Sequence, residues 1–214
     1  RSEELALVVR LSLPAIVAQI AAVMMQYIDA AMVGNLGAVE AAAVGLVAST
    51  TWLFWGLGSA GLTGYTVLAS HRIGARDYRA ARSLLRQGFV VALATGLILG
   101  SAGLAISPFL PEFLGASPEG APEARIYFAL YTAAFPIFFL SAFAGGMLRA
   151  SGNIRVPSLL SVLMCLEDVV FNFLLIFPTR EVQFAGLSFT APGAGLGVAG
   201  AAVGTVLAEF LTAL

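Results

Sequence analysis

Two groups of polar residues sit inside long apolar stretches, and the acids among them suggest ion chemistry. Asp29 lies near the end of an apolar run from Leu5 to Val33. A carboxylate in hydrocarbon costs about 2.5–3.5 kcal/mol on insertion scales and marks an ion, proton or substrate site. Ser12, Gln19, Gln26 and Asp29 fall within an arc of roughly 100° on a helix, so Asp29 ends a polar stripe. Further on, Ser161, Cys165, Asp168 and Asn172 are spaced 4, 3 and 4 apart and share one face within roughly 60°. Asp168 and Asn172, one turn apart, can both contact one cation or proton network. Glu167 points about 100° away from Asp168 and is a possible supporting group. Thr205 and Glu209 form a third polar pair at one-turn spacing. The bland alternatives are specific. Asp29 can be an interfacial carboxylate, the Asp168 group a network that fixes helix contacts, and the Thr205 hydroxyl bonded to its own backbone. Glu209 can lie near the cytoplasmic end.

The elements that must position these residues follow from composition. The chain has 214 residues, 59% of them hydrophobic and 11% charged, with a mean hydropathy of +0.93. Soluble domains carry about a quarter charged residues. The chain is therefore read as an integral membrane protein. A net charge of −1 argues against a nucleic-acid partner. A single cysteine, Cys165, excludes an intrachain disulfide framework and a Cys-based metal cluster. There is no HExxH, and His71 is the only histidine, so no metal is expected beyond Na⁺. No phosphate loop or G-x-S-x-G elbow is present. Gly56–Gly61 and Gly195–Gly200 match GxGxxG literally, but neither opens a βαβ unit. The expectation is a protein that is not an enzyme and needs no cofactor. Arg1 is not a Met and Leu214 falls within an apolar run, so a longer protein is expected.

Spanning the hydrocarbon takes about 20 apolar residues. Six such segments are expected, at about 5–33, 39–69, 87–106, 124–148, 156–177 and 195–214. Gly34 to Gly37 reads as a turn. Ser107–Pro122, with four prolines, and Pro178–Pro192, with Gly186 and Gly193 at its far end, read as outer loops. Arg72, Arg76, Arg79, Arg82 and Arg86, Arg149 and Arg155, and Arg1 and Arg10 all fall on one side. That side is read as cytoplasmic, which places the amino terminus there. Gly96 and Gly100, and Gly200 and Gly204, have the GxxxG spacing of close helix packing. Phe128, Tyr131, Phe135 and Phe138 recur at helical spacing around Pro136. They are candidates for an apolar, cation-accepting substrate cavity, or for plain helix packing.

Pro14 through Asp29-Ala-Ala-Met-Val-Gly34-Asn-Leu-Gly37 resembles the first helix of the multidrug and toxic compound extrusion (MATE) transporters. The resemblance continues through Gly74-Ala-Arg-Asp-Tyr, Arg149-Ala-Ser-Gly152-Asn, Asp168-Val-Val-Phe-Asn172 and Gly195 to Thr205, nearly the whole chain. It implies an all-α fold of twelve helices in two lobes, of which this chain is the amino-terminal six-helix lobe. Its partners would be the carboxy-terminal lobe, the lipid bilayer and small, often cationic, organic substrates. The resemblance further implies a multi-pass protein of the cell inner (plasma) membrane that exports drugs in exchange for H⁺ or Na⁺. By position, the coupling residues would be Asp29, Asp168, Asn172 and Thr205, with Gln26, Glu167 and Glu209 as possible support. One departure stands out. An archaeal-type pattern on the fifth helix has Asn followed one turn later by Asp, whereas here Asp168 precedes Asn172. The coupling ion stays open between H⁺ and Na⁺. A lipid-linked precursor flippase is the runner-up, disfavoured by interior acids without a deep arginine. An intramembrane aspartyl enzyme or a scaffold is a further alternative.

Overall fold

In hydrocarbon only an internal hydrogen-bond ladder satisfies every backbone N–H and C=O, so apolar runs of this length fold as helices. Helices dominate the computed structural model, which describes residues 2–184 and 187–213. The expectations resting on Arg1, the Arg10 side chain, Gly186 and Leu214 lie outside the described residues. The elements are α1 (Ser2–Gly34), α2 (Ala38–Gly74), α3 (Tyr78–Ile106), α4 (Leu110–Phe113), α5 (Ala121–Ala133), α6 (Phe135–Ala150), α7 (Arg155–Ile176), β1 (Pro178–Phe184), β2 (Leu187–Ala194) and α8 (Gly197–Ala213). Among them α1 from Ser12, α2, α3 and α7 are long and apolar enough to cross a membrane. Helices α5 and α6 make one further crossing, bent by 47°, and α8 is apolar but shorter. The result is a multi-pass membrane protein whose crossings are all helical, with one β-hairpin between α7 and α8.

Three expected boundaries differ from the structure. Helix α3 begins at Tyr78 rather than Gln87, because Asp77 caps it by accepting from the Ala80 N–H at 3.1 Å. Arg79, Arg82 and Arg86 are thus helical residues. The single fourth segment is two helices. Pro136 lacks the N–H that would continue the ladder across Ala134, and the Ala134 N–H turns back to the Tyr131 carbonyl at 3.2 Å. The expected outer loop at Pro178–Pro192 is an antiparallel hairpin, with an irregularity between Pro178 and Arg180. Its base is tied to the end of α7: Leu196 N–H donates to the Leu175 carbonyl at 2.9 Å and Gly195 N–H to the Phe177 carbonyl, just beyond the helix, at 3.0 Å. The Arg180 guanidinium lies 3.8 Å from the Phe177 ring centre. The expected turn after α1 is present, and the Asn35 side chain donates to the Ala31 carbonyl at 2.8 Å.

Glycines on α3 let the bent crossing approach it closely. A Cβ at Gly96 would stand 2.5 Å from Pro136 Cα, and one at Gly100 2.8 Å from the Thr132 carbonyl oxygen. Small residues supply such backbone approach inside membranes. Gly96→Val should therefore destabilise the full-length protein by about 1–3 kcal/mol, read as earlier thermal unfolding in detergent. The same change at Gly64, where nothing lies within 4 Å, should be close to neutral. Equal behaviour of the two variants would contradict the packing. Beside this face, Phe135, Phe138, Phe139 and Phe143 form a buried core with Leu62 and Ala92.

The same device holds the polar elements together. Helix α7 packs between α1 and α8. A Cβ at Gly200 would stand 2.6 Å from the Leu175 carbonyl, so the backbones of α7 and α8 are nearly touching. Little of α1 is buried, and it carries Pro14 within its length.

Candidate functional site

Asn172 is the centre of the polar cluster. It is fully buried on α7, and its side-chain Nδ2 donates to Asp29 Oδ1 at 2.8 Å and to Asp168 Oδ2 at 3.0 Å. One carboxamide thus spends both N–H groups on two carboxylates. The contact joins residues 143 positions apart in sequence. It forms because α1 lies along α7 and because Gly204 leaves room for Asn172 Oδ1, which a Cβ there would displace. Asp168 is also fully buried. Among the described residues, Asp168 Oδ1 and Asn172 Oδ1 are buried without a hydrogen-bond partner. Two acids, one neutral amide and two unused oxygens are a donor set suited to a proton or a small monovalent cation.

Asp29 also faces open space. It borders a cavity of about 410 Å³ whose wall includes Gln26, Thr51, Trp52, Trp55, Tyr127, Tyr131, Phe138, Thr205 and Glu209. Asp168 and Asn172 stand behind it. Asp29 therefore connects the cavity to the buried pair. Thr205 reaches the cavity from α8 and neighbours the Asp168 carboxylate. Its hydroxyl donates to its own Ala201 carbonyl at 3.1 Å. Glu209, one turn further along α8, sits in the cavity wall beside Ser141.

The remaining candidates divide. Glu167 is turned away from the cluster and accepts from the Thr212 hydroxyl at 3.3 Å, a tie between α7 and α8. This direction follows from its offset of about 100° from Asp168 along α7. Of the aromatic stripe, Tyr131 and Phe138 line the cavity and Phe128 and Phe135 do not. Both of the latter are fully buried. Phe128 packs edge-on against Phe54 at 6.2 Å, and Phe135 lies 5.5 Å from Phe139. Within each helix the two kinds sit three residues apart, Phe128 and Tyr131 on α5 and Phe135 and Phe138 on α6, about 60° round the axis.

Among the aromatic wall residues, Trp52, Trp55 and Tyr127 were not singled out as cavity residues from the sequence. The signal is present on α2, where Val44, Ala48, Thr51, Trp52 and Trp55 recur at helical spacing and all reach the cavity. Trp55 is held by stacking on Phe139 at 5.3 Å. Tyr127 stacks on Tyr131 at 6.0 Å, one turn away.

Comparison with known proteins finds similarity in sequence and fold to multidrug transporters. A probable multidrug resistance protein NorM of Thermotoga maritima is 29% identical over 209 residues, 96% of this chain and 42% of its own length. A protein of the same description in Rhizobium meliloti is 31% identical over 195 residues, 88% of this chain and 40% of its own. A solved structure of a multidrug resistance MATE family transporter of the MOP superfamily, in an outward-facing conformation, superimposes with a TM-score of 0.84 at 25% identity. It covers 96% of this chain and 42% of that one. The chain thus spans less than half the length of the relatives it matches, which agrees with a single lobe. The MatE family profile matches residues 14–174, most of the chain, and the protein belongs to that family.

Proposed function

We propose that this chain is the ion-coupling amino-terminal lobe of an antiporter that exports cationic or amphipathic organic compounds in exchange for inward-moving H⁺ or Na⁺. The observation that carries the reading is the Asn172 amide held between Asp29, on the cavity wall, and Asp168, behind it. With both acids ionised, two negative charges in hydrocarbon share one neutral donor. A proton or Na⁺ relieves that arrangement. The same event removes negative charge from the cavity wall, where an organic cation rests against Trp52 and Tyr131. Ion and substrate thus compete through Asp29. Transport needs this differential affinity in two conformations. The thinly buried α1, with Pro14, is the element free to shift.

Glu209 adds a second carboxyl group to the cavity, and no arginine among the described residues lines it. That polarity favours organic cations over the pyrophosphate of a lipid-linked precursor. The multidrug-resistance description of the Thermotoga maritima and Rhizobium meliloti relatives supports export as the direction. The carboxy-terminal lobe would close the cavity from the other side. The arginine-rich end would face the cytoplasm, with the protein in the plasma membrane.

The test is flux. The full-length protein, reconstituted in vesicles with a fluorescent organic cation such as ethidium, should move it against an imposed proton or Na⁺ gradient. One gradient should drive transport and the other not, which identifies the ion. Movement indifferent to both gradients would remove the antiporter reading.

A further inference from the structure

We propose that the groove between the arginine-rich end of α3 and the adjoining end of α6 binds an anionic phospholipid of the cytoplasmic leaflet. The groove has a volume of about 530 Å³, within the roughly 300–1,000 Å³ of small-molecule sites. Its floor is apolar: Leu85 and Phe89 of α3 face Ala144, Met147 and Leu148 of α6. Arg82 and Tyr78 stand at its outer end. From Phe89 inward, α3 presents Val90, Leu93 and Leu97, all exposed, so the floor continues into the face of α3 that meets hydrocarbon. An acyl chain can lie along this floor while its headgroup stays at the rim.

The charge at the rim chooses the headgroup. Arg79, Arg82 and Arg86 follow one another at spacings of 3 and 4 and share one face of α3 within roughly 60°. No carboxylate among the described residues pairs with them. The nearby Asp77 is engaged by Arg72 at 3.8 Å and by the end of α3. Guanidinium groups hold phosphate oxygens in bidentate pairs, and basic grooves between membrane helices take anionic headgroups. A neutral lipid would leave this cationic row unmatched, and a free phosphate would leave the apolar floor empty. The orientation comes from the arginine distribution and does not depend on the transport reading.

Native mass spectrometry of the delipidated full-length protein tests this. Phosphatidylglycerol should be retained in preference to phosphatidylcholine of the same chains, and glycerol phosphate alone should not compete. Arg82→Gln should weaken phosphatidylglycerol binding about fivefold, Arg82→Lys should restore most of it, and Ala144→Phe should abolish it by filling the floor. Arg82 is exposed, so the first variant keeps the fold. Equal retention of the two lipids, binding unchanged in Arg82→Gln, or equally tight binding of glycerol phosphate would overturn the proposal.

Discussion

Asp29→Asn is expected to reduce gradient-driven efflux by the full-length protein by about two orders of magnitude, the upper end of ordinary coupling free energies. The variant should still fold. Asparagine keeps the shape of the side chain and an oxygen that can accept the 2.8 Å bond from Asn172. What it removes is the charge at the cavity wall. Binding of an organic cation should persist, held by the aromatic wall and Glu209, but should lose its dependence on the competing ion. If the ion is a proton, the native protein binds substrate more weakly as pH falls, because protonation removes the attracting charge. In Asp29→Asn that slope should flatten. If Na⁺ is the ion, the flattened response is to Na⁺ at fixed pH. Efflux that keeps its native rate and gradient dependence in this variant would place the coupling elsewhere.

How far the sequence foretold these features depends on how local each is. The apolar segments were legible because membrane spans are set by length and composition. The glycine contacts of α3 were legible as spacing. Helical phase put Asp168 and Asn172 on one face. It could not show that α1 would lie against that face, since pairing between distant helices is a tertiary choice. The start of α3 was misplaced because a run of arginines reads as a loop. The helix continues through them, capped by Asp77, with the guanidinium groups at its surface. The hairpin at Pro178–Ala194 was not foreseen either, because short strands outside the membrane leave only a weak mixed pattern. The stripe of Phe128, Tyr131, Phe135 and Phe138 reads from sequence as either a cavity lining or plain helix packing, and spacing alone could not divide it into Tyr131 and Phe138 on the cavity and Phe128 and Phe135 in the core.

Asn172→Leu is expected to have the largest effect on stability. It removes the one donor shared by Asp29 and Asp168 at nearly constant volume. A buried acceptor that loses its donor costs about 1–3 kcal/mol, and more where it is charged, and Asp168 is fully enclosed. The full-length variant should unfold at a clearly lower temperature and lose coupled efflux. Stability alone does not separate an ion site from a packing network, so the second substitution decides. In Asp168→Leu combined with Asn172→Leu, the buried charge and its lost partner disappear together. A double-mutant comparison should then recover most of the stability lost in the single variant. If the cluster only fixed helix contacts, transport would recover along with stability. If it holds the coupling ion, stability returns while gradient-driven efflux stays absent, because Asp29 then faces two apolar side chains. The oxygens of Asp168 and Asn172 that lack partners among the described residues favour the second outcome, since buried acceptors in a network built only for packing are mostly paired.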